Sequence, residues 1–88
     1  MNSQQILATI ETWAKNRCAD FNAPYGILTG SHINRKGTKY LSITFGRAQT
    51  LDATVEIYNR NFMILKTSSG NSDVFNNFSD LQKALTSL

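Results

Sequence analysis

The order in which apolar periodicities follow one another along the chain restricts its folds more than any other feature. A stretch with helical spacing comes first, four strand-like stretches follow, and a second helical stretch closes the sequence. A helix with one apolar stripe and a strand with one apolar face must each bury that side against another layer. The pattern predicts an α+β fold of two layers: a four-stranded, mostly antiparallel meander sheet, with an N-terminal and a C-terminal helix on the same face.

In the first stretch, residues 3–19, the apolar positions are Ile6, Leu7, Ile10, Trp13, Ala14 and Cys18. Spacings of three and four place them on one stripe. Ser3 is the expected N-cap, and Glu11 with Lys15 forms an i,i+4 pair on the wet side. Residues 20–24 end the helix, because Pro24 disfavours helical geometry at Ala23.

Residues 25–33 are the first strand, broken by Gly26 and Gly30, where a bulge or a close backbone approach is expected. A turn over 34–38 carries Gly37 at a position suited to positive φ. In 39–46, Leu41, Ile43 and Phe45 alternate with Tyr40, Ser42 and Thr44. In 51–58, Ala53, Val55 and Ile57 alternate with Thr54, Glu56 and Tyr58. Asn59, Arg60 and Asn61 make a tight hairpin into a fourth strand, 62–67. That strand is apolar on both sides and is therefore expected to be covered on both, centrally in the sheet or by a second subunit. Residues 68–72 read as a polar loop. Phe75 and Phe78 return the chain to the core. Ser79 and Gln82 form a capping box for a last helix with Leu81, Ala84, Leu85 and Leu88 on its stripe.

Eighty-eight residues make one domain, 1–88, and a hydrophobic share of 41% with 17% charged residues excludes a disordered or membrane-embedded chain. Apolar runs such as Phe62 to Leu65 are far shorter than the ~20 residues a membrane helix needs, so no membrane partner is expected. The N-terminus lacks a basic region followed by an apolar stretch, so no secretory signal is expected. One cysteine rules out an internal disulfide and a cysteine-rich zinc site, which points to a cytoplasmic location. Nine asparagines hint at a phage or mobile element.

Catalytic groups are scarce. Cys18 belongs to the apolar stripe as a small hydrophobe, and His32 has no orienting acid in view. Asp52 and Glu56 lie about 13 Å apart along one strand, beyond the reach of a glycosidase-type pair. The five glycines match no phosphate-binding loop. No enzyme activity, cofactor or metal is expected.

Two binding features remain. Between residues 34 and 66 six basic residues face two acidic ones. Of these, Arg35, Lys36, Lys39, Arg47 and Arg60 are candidates for phosphate contact. Tyr40 and Tyr58 stand among Ser and Thr on a sheet face that neither helix covers, a composition suited to adaptable contacts. The order helix, strands, helix in a small basic chain is similar to that of the double-stranded-RNA-binding domain. Where that family carries a basic cluster at the start of its last helix, residues 79–83 offer one lysine and one acid, and the chain is not assigned to it.

The expected function is a non-catalytic protein-interaction module. Its most concrete form is a small phage or mobile-element inhibitor or accessory protein that docks through the open face, an edge strand or the basic hairpin. The alternative is a nucleic-acid-binding protein using the basic hairpin region. Exposed edges make a homodimer an expected arrangement.

Overall fold

The computed structural model describes residues 1–19, 25–47 and 50–88. Helix α1 (Ser3–Ala19) is followed by strands β1 (Tyr25–Ile33), β2 (Lys39–Arg47), β3 (Thr50–Asn59), β4 (Phe62–Thr67) and β5 (Ser72–Phe75), then helix α2 (Phe78–Thr86). The strands form one sheet in the order β1-β2-β3-β4-β5, each antiparallel to the next. The α+β meander with both helices on one face is as expected, but the sheet has five strands, not four.

The additional strand is β5. Its residues Ser72, Asp73 and Val74 are exposed and only Phe75 is half-buried. A strand that buries so little shows no alternation, which is why 68–72 read as a loop. Residues 68–71 are instead a hairpin turn, held by the Gly70 N–H donating to the Thr67 carbonyl at 3.0 Å and the Thr67 N–H donating to the Asn71 carbonyl at 3.0 Å.

The core lies between the layers. Ile43 and Phe45 of β2, Ala53, Val55 and Ile57 of β3, and Met63 and Leu65 of β4 meet Ile6, Ile10 and Ala14 of α1 and Leu81 and Leu85 of α2. Each fully buried Ile, Leu, Met or Phe contributes roughly 1.5–3 kcal/mol relative to exposure. Trp13 sets its ring edge-on to Phe45, centroids 5.4 Å apart, adding about 1 kcal/mol. Helix α1 packs across β1, β2 and β3, and α2 packs on β4 and β5.

Helix α1 spans the residues expected, but both helices are capped by a residue other than the serine expected. Asn2, not Ser3, caps α1: the Gln5 N–H donates to Asn2 Oδ1 at 2.9 Å, and the Asn2 N–H donates to Gln5 Oε1 at 2.9 Å. Asn77, not Ser79, caps α2: its Oδ1 accepts from the Asp80 N–H at 2.8 Å, and its Nδ2 donates to Asp80 Oδ2 at 3.0 Å. Each is a reciprocal arrangement of cap and third helical residue, and in each the cap's Oδ1 satisfies a backbone N–H the helix cannot pair internally. The expected Glu11–Lys15 pair forms at 3.2 Å.

Strand β4 has a strand on either side, β3 and β5. It lies next to the edge strand, with Met63 and Leu65 in the core. Neither helix covers its other side, where Ile64 is half-buried and Phe62 is 40% exposed. Gly30 produces no bulge, since β1 pairs with β2 in unbroken register from Tyr25↔Arg47 to Ile33↔Lys39. The β2–β3 ladder does shift, between Phe45 and Gly46.

Candidate binding face

Alternation along a strand sends successive side chains to opposite faces. With the odd-numbered residues of β2, β3 and β4 in the core, their even-numbered residues form the face away from both helices. Register carries this face outward from Tyr40, Ser42, Thr44, Thr54, Glu56 and Tyr58. It takes in Leu28, Gly30 and His32 of β1, Phe62, Ile64 and Lys66 of β4, and Val74 of β5.

At one end of this face four rings cross four strands. His32 lies 5.2 Å from Tyr40 with planes tilted by 34°. Tyr40 stacks on Tyr58 at 4.9 Å and 23°. Tyr58 meets Phe62 edge-on at 5.2 Å and 83°. Beside this row, Ile64 pairs with Val74, which is 57% exposed. Phe62, Ile64 and Val74 thus extend the rings into a connected apolar corner. At the β1 edge Leu28 is 74% exposed.

His32 explains Gly30. The imidazole Nε2 is 2.8 Å from Ser42 Oγ, whose residue faces Gly30 across the ladder. To reach it the ring lies over Gly30, where an added Cβ would fall 2.8 Å from Nε2. The glycine accommodates a neighbouring side chain, not another backbone.

Glu56 occupies the next rung. It accepts from Tyr58 Oη at 3.2 Å and from Lys66 Nζ at 2.9 Å. Burial, then the adjacent carboxylate, pushes the Tyr58 hydroxyl above its ordinary pKa, and the hydrogen bond to Glu56 pushes the Lys66 ammonium up. Tyr58 is therefore neutral and Lys66 charged at neutral pH. Thr44 and Thr54 share a 3.0 Å hydrogen bond across the third rung.

The antiparallel order puts the β1–β2 and β3–β4 hairpins at the same end of the sheet, the end that holds the rings. Arg35 and Lys36 sit on the first tip, Lys39 at its base and Arg60 on the second, all exposed. Asn34 Oδ1 shapes the first turn by accepting from the N–H groups of Lys36 and Thr38 at 2.9 and 3.0 Å, and Gly37 adopts φ +81°. Asn59 Oδ1 accepts from the Asn61 N–H at 2.8 Å in the second. The five expected cations therefore do not all converge. Arg47 is the last residue of β2, at the opposite end, and its side chain lies outside the described residues.

Chemistry beyond binding finds little here. The Cys18 side chain lies outside the described residues, and the partner of His32 is a hydroxyl. Among the described residues no three His, Cys, Asp or Glu side chains gather as a metal site. A cleft of about 260 Å³ between the start of α1 and the base of the first hairpin is lined by Ser3, Gln4, Ser31, Lys39, Leu41, Ile57 and the two tyrosines, with no acid, thiol or imidazole. Among the described residues no helix is long and apolar enough to cross a membrane.

Sequence reasoning located Tyr40 and Tyr58 on this face and missed His32, Phe62, Ile64 and Val74. The two-sided apolarity of 62–65 was the available signal for Phe62 and Ile64. No family model, curated protein or solved structure matches the chain.

Proposed function

We propose that the chain is a non-catalytic binding module whose open sheet face seats a protein partner. One observation carries this reading: the row His32–Tyr40–Tyr58–Phe62 runs into the exposed apolar corner of Phe62, Ile64 and Val74, with four cations at the same end. Large rings and aliphatic side chains at the centre with arginine at the margin is the composition of protein-binding surfaces. The partner is a surface apolar at its centre and carboxylate-rich where it meets Arg35, Lys36 and Arg60. A small inhibitor or accessory protein of a phage or mobile element, acting in a cytoplasm, is the concrete form; the asparagine-rich, single-cysteine composition supports it.

Ring geometry favours this reading over nucleic acid. Single-stranded nucleic acids bind by stacking bases on free aromatic faces. Tyr40 and Tyr58 stack on each other, so their facing surfaces are already occupied, and Phe62 stands against Tyr58 with the ring planes at 83°.

The test is capture from cells of the source organism with the unmodified chain and three variants, followed by kinetics on the protein recovered. Phe62→Ser and Tyr40→Ala are expected to weaken binding tenfold or more, about 1.4 kcal/mol each. Arg35→Glu is expected to slow association, more so at low salt. Lys83→Glu on α2, remote from the face, is expected to change nothing. Binding indifferent to Phe62 and Tyr40 would overturn the proposal. So would tight binding to labelled RNA or DNA that collapses between ~50 and ~200 mM salt, the signature of phosphate contact.

A further inference from the structure

We infer that β1 is a self-pairing edge: it aligns antiparallel with β1 of a second copy of this chain, joining two five-stranded sheets into one of ten. Among the described residues β2 is the only strand paired with β1, so its outer side presents backbone N–H and C=O groups to solvent. Soluble proteins guard such edges with charges, proline, bulges or brevity. Strand β1 has none of these. Its nine residues, Tyr25–Ile33, include no Lys, Arg, Asp, Glu or Pro, and its register is unbroken. Apolar side chains stand exposed on both of its faces, Leu28 at 74% and Ile33 at 64%. The opposite edge, β5, is guarded: it is four residues long and carries Asp73.

Charge and symmetry select a second copy as the occupant. A strand without charged side chains brings no like charges together when it meets itself. Among the cations with described side chains, Lys39 stands opposite Ile33 on β2, and Arg35 and Lys36 lie on the tip beyond it. An antiparallel two-fold axis separates the two hairpin tips by about the strand's length, roughly 30 Å. A register centred on Gly30 sets Ile27 against Ile33 of the second copy on the helix side, and Leu28 against His32 on the open side. The same axis keeps all four helices on one side and both ring rows on the other. The binding face stays uncovered, so this pairing stands or falls separately from the function proposed above.

Sedimentation of the full chain tests it. The expected result is a reversible monomer–dimer equilibrium, with dimer dominant at roughly 100 μM. Leu28→Lys is expected to weaken dimerisation at least tenfold, while Val74→Lys, exposed at the other edge of the same face, leaves it unchanged. A chain monomeric throughout would overturn the inference, as would a dimer that survives Leu28→Lys or is lost with Val74→Lys. Amide exchange on the unmodified chain gives an independent reading. Exchange in β1 is expected to slow with rising concentration while that in β5 does not; β1 exchange indifferent to concentration also overturns the pairing.

Discussion

Glu56 is the side chain on the open face whose replacement is most informative, because it serves two neighbours of different acidity. It accepts from Tyr58 and from Lys66, and both of those groups hold their protons more tightly than usual. A group whose folded pKa is raised contributes stability that is fully present below its unfolded value and is lost as pH climbs through the folded one. For Tyr58 and Lys66 that window opens at about pH 10. Glu56→Gln is expected to cost no more than about 1 kcal/mol at neutral pH, since Lys66 is half exposed. The gap between variant and unmodified chain should narrow as pH rises past 10. Denaturant unfolding of both at pH 7 and above pH 10 measures this; a gap that does not change with pH would mean that Glu56 holds neither proton. His32 and Gly30 show the other side of residue-scale reasoning. In the sequence they are a histidine with no orienting acid and a strand-weakening glycine two positions earlier, and only the β1–β2 register, which sets Ser42 opposite Gly30, gives either a purpose.

Elements were legible where one side of them is buried. Helix α1 and strands β2 and β3 bury one face and expose the other, so their periods appear in the sequence as 3.6 and 2. Strand β5 buries almost nothing and has no period to read. Strand β4 displays apolar residues on both sides because one lies on the core and the other on the binding face, a distinction local sequence does not contain. The helix caps fall one or two residues before the serines expected, because asparagine caps as well as serine, and Asn2 and Asn77 precede the serines that resemble caps. Asn77→Ala is therefore expected to destabilise the fold by about 1 kcal/mol and Ser79→Ala by a few tenths at most. Thermal unfolding of the two variants distinguishes them; equal losses would return the cap to Ser79.

Across the whole molecule, the two helices divide the sheet unequally. Helix α1 has 17 residues and covers three strands, including β3, where Ala53, Val55 and Ile57 are all buried. Helix α2 has nine residues, buries Leu81 and Leu85, and covers the short edge strand. Opening of α2 with β5 exposes less of the buried core than opening of α1 with β2 and β3, so it should occur at lower free energy. Native-state hydrogen exchange is expected to release the amides of α2 and β5 well before those of β2, β3 and α1. Simultaneous release would mean the halves open as one unit.

The sheet also divides the chromophores. The single tryptophan, Trp13, lies on the helix side against Phe45. The stacked pair Tyr40 and Tyr58 lies on the other. Light therefore reports the two sides of the molecule separately. Parting of the layers alters tryptophan emission, whereas an occupant of the outer face perturbs the tyrosine bands of the near-ultraviolet dichroism while the tryptophan stays silent. Seating of a ligand and loss of the fold can thus be told apart in an unlabelled sample.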